Sequence, residues 1–177
     1  TYWMERLNSV EISIPEKEIV EATKASLAYI LLNREGVKFQ SGPRNYKLSR
    51  MRDGAGISSA VLRMGLVDIV KDYIDLMSSL QYPNGMVPFY VKGKDNEIPD
   101  WSKGWQDYDC QGQFINVIKE YYEFTKDETY LKTKIKNIEN AIRYVADLRK
   151  TQKTEKYEKP ENKSFYGLLP ESRSFAL

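Results

Sequence analysis

The sequence predicts an all-α chain built of helical hairpins, with its long loops gathered on one face. Two observations predict it. Apolar residues recur every three to four positions in four long stretches. The connections between those stretches alternate between long and short, as they do when antiparallel helix pairs are stacked side by side.

The first stretch follows Ser13-Ile14-Pro15-Glu16, which reads as a capping box with proline in the first turn. Ile19, Val20, Leu27, Ala28, Ile30 and Leu31 then fit a helix from about Pro15 to Asn33, stopped near Gly36. Val37 to Arg50 has no helical period, contains the breaker Gly42-Pro43, and admits a short extended piece at Val37–Gln40. The second helix is expected after Arg52-Asp53-Gly54. Leu62, Leu66, Ile69, Tyr73, Leu76, Met77 and Leu80 give one continuous stripe, and Val67, Val70 and Ile74 widen it. A stripe that broad implies burial against more than one neighbour. Pro83-Asn84-Gly85 ends it with a turn. Met86 to Gln106 is a long loop carrying Phe89, Tyr90, Trp101 and Trp105, a length usually kept for functional segments.

The third helix is expected from about Cys110 to Thr125, with Phe114, Val117, Ile118 and Tyr121 on one side. Lys126-Asp127 is so short a connection that the next helix must be its antiparallel neighbour, and Thr125-Lys126-Asp127-Glu128 again resembles a capping box. The fourth helix runs to about Lys150, with Leu131, Ile135, Ile138, Ile142, Val145 and Leu148 expected inside. Gln152 to Lys163 alternates Lys and Glu and reads as a solvated loop. Phe165 to Pro170 reads as a turn or short strand.

Composition narrows the chemistry. The chain has 177 residues, 41% hydrophobic and 29% charged, enough for one domain with a real core. Its 27 basic and 25 acidic residues leave a net charge of +2, which argues against a nucleic-acid binder working by phosphate neutralisation. No apolar run is long enough to span a membrane. Histidine is absent, which removes Ser-His-Asp and Cys-His catalysis and HExxH zinc sites from this chain. Cys110 is the only cysteine, so the chain forms no internal disulfide and no cysteine metal site. Neither a metal nor a cofactor is implied, and compartment and oligomeric state stay open. Thr1 reads as a cut within a longer protein or as a processed end, and Ser174-Phe175-Ala176-Leu177 is equally abrupt.

The chemistry left belongs to carboxylates, arginines and aromatic rings, and these collect at helix starts. Asp53 reads either as an N-cap or, with Arg52, as a charged acceptor and donor gripping adjacent sugar hydroxyls. Trp105-Gln106-Asp107-Tyr108-Asp109-Cys110-Gln111 exceeds what capping requires. Asp107, Asp109 and Gln111 beside Trp101 and Trp105 suit a carbohydrate, whose C–H faces stack on rings while its hydroxyls bond to polar groups. The alternative is that the aromatics pack the loop onto the helices. Arg44 in Gly42-Pro43-Arg44-Asn45-Tyr46 either joins the same end or sits on a surface turn. Tyr73, Tyr121, Tyr122 and Tyr144 read as core or rim, and Cys110 as a small packing residue.

Six stretches occur in an order that resembles the six-hairpin glycosidases, the glucoamylase-like (α/α)6 toroid enzymes. They are Gly42-Pro43-Arg44-Asn45-Tyr46, Arg52-Asp53-Gly54-Ala55, Pro83 to Pro88, Asp109-Cys110-Gln111-Gly112-Gln113, Glu120 to Asp127, and Gly167-Leu168-Leu169-Pro170-Glu171. The resemblance covers about Pro15 to Ser172. It implies a toroid of twelve helices, of which residues 1–177 would form a single domain representing the N-terminal third. It further implies that Arg52 and Asp53 bind the sugar at the cleavage site and that Asp109 and Gln111 face the cleft. The acid and base of these enzymes come later in the chain. Asp109 and Glu171 are the only weak catalytic candidates here, and Glu171 is expected to precede the acid. The implied reaction is inverting hydrolysis of an oligo- or polysaccharide, with acid and base carboxyls ~6.5–9.5 Å apart. Two alternatives stand beside it. One is an unsaturated glucuronyl hydrolase, which shares the toroid and would make Asp109 catalytic. The other is a non-catalytic helical scaffold or carbohydrate-binding module.

Overall fold

The computed structural model of the chain describes residues 1–43, 46–100 and 107–172. Seven α-helices dominate them, so the chain is all-α as expected. Five have 13 residues or more: α2 (Lys17–Leu32), α3 (Met51–Arg63), α4 (Val67–Ser79), α5 (Asp109–Thr125) and α6 (Glu128–Thr151). The short α1 (Tyr2–Leu7) precedes them and α7 (Glu155–Glu158) follows, the latter inside the stretch expected to be a solvated loop. Residues 163–165 form a 3-10 turn.

The stripe expected to be one helix from Gly54 to Leu80 is two. Met64 ends α3, and Gly65 follows at φ +72°. Gly65 N–H donates to Leu62 O at 2.9 Å and Leu66 N–H to Val61 O at 3.2 Å. That crossed pair is a Schellman ending, which a glycine adopts without Cβ strain. Leu66 is then buried beyond the break, so the apolar spacing continues across it and hides it from a periodicity reading.

Two capping expectations also change. No side-chain cap forms at the start of α2, where Glu16 rather than Ser13 is the flanking residue. At α6 the cap is Asp127, whose carboxylate accepts from Tyr130 N–H at 2.9 Å, and Thr125 Oγ1 accepts from Asp127 N–H at 3.2 Å. Lys126, at φ 56°, turns the chain between α5 and α6.

Two small antiparallel ladders pin the loops. β1 (Arg34–Glu35) pairs with β2 (Lys38–Phe39), near the predicted extended piece. β3 (Leu48–Arg50) pairs with β4 (Tyr90–Lys92), which lies in the long loop before α5. Lys38 is buried and donates to Gly93 O and to Asn96 Oδ1, so the first hairpin is tied to the turn after β4.

The core gathers Leu27, Phe39, Met51, Val61, Leu62, Ile69, Val70, Tyr73, Ile74, Phe114, Val117 and Ile118. A satellite of Tyr82, Met86 and Tyr144 lies beside it, and there burial pushes the Tyr82 and Tyr144 hydroxyls up to about 12. The Pro83–Gly85 turn forms as expected, with Gly85 at φ +92° and its α-carbon close against the backbone of Asn140. Two positions expected inside are not. Ile135 and Ile142 are exposed, and α6 buries Tyr130, Ala141 and Tyr144 instead.

Side-chain bridges give the helix directions. Arg52 meets Asp109 and Ser59 meets Glu120, so α3 and α5 lie side by side and run the same way. Asp75 meets Tyr130 and Lys134, and Asn137 meets Ser78, so α4 and α6 are also parallel neighbours. The amino ends of α3 and α5 therefore share one end of the bundle.

Candidate functional site

At that shared end, β3 runs straight into α3. The first helix amide, Met51 N–H, donates to Phe89 O at 3.0 Å, and the flanking residue is Arg50, which makes no side-chain cap. Asp53 is thus not the N-cap. It is the third residue of α3, and its carboxylate accepts a hydrogen bond from Ser41 Oγ.

Arg52 points across to α5. Its Nε donates to Asp109 Oδ2 at 2.7 Å and its second terminal nitrogen to Asp109 Oδ1 at 2.8 Å, a bidentate fork. Asp107 Oδ1 stands 3.7 Å from the same guanidinium. The hydrogen bonds from Arg52 hold the Asp109 carboxyl below its ordinary range, and they raise the guanidinium's own pKa in turn. Half of the Arg52 side chain and 40% of Asp109 remain exposed, against 15% for Asp107. The pair is reachable from solvent while Asp107 backs it from inside.

Gln111 has turned inward. It is 2% exposed, and its Oε1 accepts from Val87 N–H at 2.8 Å, so it anchors the Pro83–Phe89 loop to α5. Cys110 beside it is buried, and burial together with Asp109 and Asp107 pushes its thiol pKa up. It is a packing residue. Phe89 is buried and meets Tyr90 edge-on at 4.7 Å, so this pair packs the loop. Arg44, Trp101 and Trp105 lie outside the described residues. Glu171 lines a separate surface cavity with Lys156, Tyr157, Asn162 and Phe165.

Arg52, Asp53, Asp107 and Asp109 lie at one end of the bundle. Sequence reasoning missed Ser41, whose only signal is its position just before Gly42-Pro43. It also missed a second crossing between α3 and α5, where Glu120 accepts from Ser59 Oγ at 3.1 Å and lies 3.7 Å from Arg63.

Among the described residues no group of three or more His, Cys, Asp or Glu is arranged to hold a metal ion, and no helix is long and apolar enough to cross a membrane. No family model matches the chain, and neither does a curated protein or a solved structure.

Proposed function

We propose that this chain is a sugar-binding portion of a glycoside hydrolase of the six-hairpin type, with the catalytic acid and base outside it. One observation carries the reading. The solvent-reachable Arg52–Asp109 fork joins the amino ends of two parallel helices, with Asp107 behind it and Asp53 on the next residue. A fork of this kind offers charged donors and acceptors to vicinal hydroxyls, which is how a pyranose is held in place without proton transfer. The inverting mechanism needs a further carboxyl pair, and that pair is not assigned within this chain.

Isothermal titration with glucose, maltose and glucuronate tests the reading. Binding of a neutral sugar that is lost in Arg52→Ala is the expected result. Preferential binding of glucuronate would favour the unsaturated glucuronyl hydrolase alternative. Hydrolysis by this chain that Asp53→Asn abolishes would overturn the placement of the catalytic pair elsewhere.

A second reading rests on the same geometry. Arg52 and Asp109 satisfy each other, and Asp53 has Ser41, as in a helix-to-helix staple of a non-catalytic scaffold. A scaffold binds none of the three sugars.

A further inference from the structure

Asn84 is the only asparagine in the chain that is followed by glycine. That pair carries a reaction of its own. The amide nitrogen of the following residue attacks the asparagine Cγ and closes a cyclic imide. The Cγ–Nδ2 bond breaks, and the side-chain nitrogen leaves as ammonia with the proton of the attacking amide. Water then opens the imide at one carbonyl or the other, giving aspartate or isoaspartate. Glycine favours the attack, because it has no Cβ to shield its nitrogen and its backbone turns freely.

In the folded chain that nitrogen is not free. The turn Tyr82-Pro83-Asn84-Gly85 closes with Gly85 N–H donating to Tyr82 O at 2.8 Å, and Pro83 stands where its fixed φ favours the turn. Tyr82 N–H donates to Met86 O at 2.9 Å. Gly85 O accepts from Gln81 Nε2 at 2.9 Å, and the same Nε2 donates to Asn137 O of α6 at 3.0 Å. The glycine also rests on α6 itself. At its φ of +92° a Cβ would fall on the Asn140 carbonyl oxygen and lie 2.8 Å from the carbonyl carbon. Both main-chain polar groups of Gly85 are held, and its α-carbon has a wall behind it.

One contact works the other way. Asn84 Oδ1 accepts from Met86 N–H at 3.0 Å, which draws electrons from the Cγ under attack. Asn84 is also exposed, so water reaches it. The electrophile is polarised and the nucleophile is withheld. Without the nitrogen no bond forms, so the hold on Gly85 decides.

We propose that Asn84 is a latent deamidation site, closed to reaction while the Tyr82–Gly85 turn is seated on α6 and open once the turn lifts. The proposal is independent of the carbohydrate reading. Isoaspartate adds a methylene to the main chain just before Gly85. Gly85 then cannot both reach Tyr82 O and clear the Asn140 carbonyl, so the turn does not reseat. Aspartate leaves the main chain unchanged and keeps an oxygen for Met86 N–H.

The test incubates the intact chain and the free peptide of residues 81–87 in the same mildly alkaline buffer. The amide-to-acid mass change at Asn84 is followed in a proteolytic digest. Reaction in the folded chain draws only on the opened fraction, so Asn84 should convert at least about tenfold more slowly there than in the peptide. Gln81→Ala removes one hold on Gly85 and should raise the folded-chain rate about two- to tenfold. The purified isoaspartate form should unfold at lower urea than Asn84→Asp, which should match wild type. Conversion in the folded chain as fast as in the peptide would overturn the proposal, because the polarised Cγ would then decide. So would a folded Gln81→Ala chain reacting at the wild-type rate, or an isoaspartate form as stable as Asn84→Asp. The comparison with the peptide involves no variant and decides the matter even if Gln81→Ala does not fold.

Discussion

Gly54 and Gly56 stand two residues apart on α3, and replacing each by alanine should move stability in opposite directions. In a helix interior, Gly→Ala is worth about 1 kcal/mol of stabilisation from propensity alone. At Gly56 a new Cβ meets nothing within 4 Å, so that gain should appear nearly whole. At Gly54 the new Cβ would fall on the Tyr73 hydroxyl and lie 2.5 Å from Cζ and 2.9 Å from Cε1. Tyr73 is fully buried, packed on Phe39 at 5.0 Å, and has no space to retreat into. Overpacking costs about 1–3 kcal/mol, and an overlap of this depth belongs at the upper end or beyond it. Setting that against the propensity gain leaves a net loss of about 2 kcal/mol. Urea unfolding followed by circular dichroism should place the Gly54→Ala midpoint below wild type and the Gly56→Ala midpoint above it, with a common m-value. A Gly54→Ala protein as stable as Gly56→Ala would refute the close approach of Tyr73 to α3. It would also remove the physical reason for a glycine within Arg52-Asp53-Gly54-Ala55.

Asp109 should make stability pH-dependent, because its folded pKa is depressed while its unfolded value is ordinary. The stabilisation is therefore present above about pH 4 and fades as pH falls through the lower folded value. Partial exposure limits it to about 1 kcal/mol, and Asp109→Asn should narrow the difference in urea midpoint between pH 7 and pH 3. Gln111→Leu should cost about 1–3 kcal/mol by leaving the buried Val87 N–H without its acceptor, read from the same unfolding curves. The Cys110 thiol should resist a thiol reagent such as Ellman's in the folded protein and react at once in denaturant. Fast labelling of the native chain would contradict its burial.

The residues show why some of this is legible in the sequence and some is not. Helix type is legible because the apolar spacing of Phe114, Val117, Ile118 and Tyr121 reports one buried stripe directly. The break at Gly65 is not. Leu62, Leu66 and Ile69 keep helical spacing through a Schellman turn, and a lone glycine does not by itself stop a helix. The exposed Ile135 and Ile142 resemble core in the sequence for a related reason, since periodicity marks an apolar row without saying whether anything covers it. At the candidate site, the gathering of Arg52, Asp107 and Asp109 is legible because helix starts at alternate connections fall at one end of the bundle. The start of α3 at Met51, two residues before Asp53, and the inward turn of Gln111 involve the Phe89 carbonyl and the Val87 amide. Both groups belong to backbone in a loop whose path no side-chain pattern encodes.

The parallel placement of α3 and α5 has an electrostatic consequence. Each helix start behaves as about half a positive charge, and two such ends side by side repel. With Arg52 they bring about two positive charges to one small area, and Asp53, Asp107 and Asp109 answer with three negative ones. Those contributions alone sum to about −1. Neutralising any one carboxylate would bring this patch near zero, and neutralising two would reverse its sign. The carboxylates are therefore what lets two amino ends lie together. They also set the polarity of the field that an approaching molecule meets before it touches a side chain.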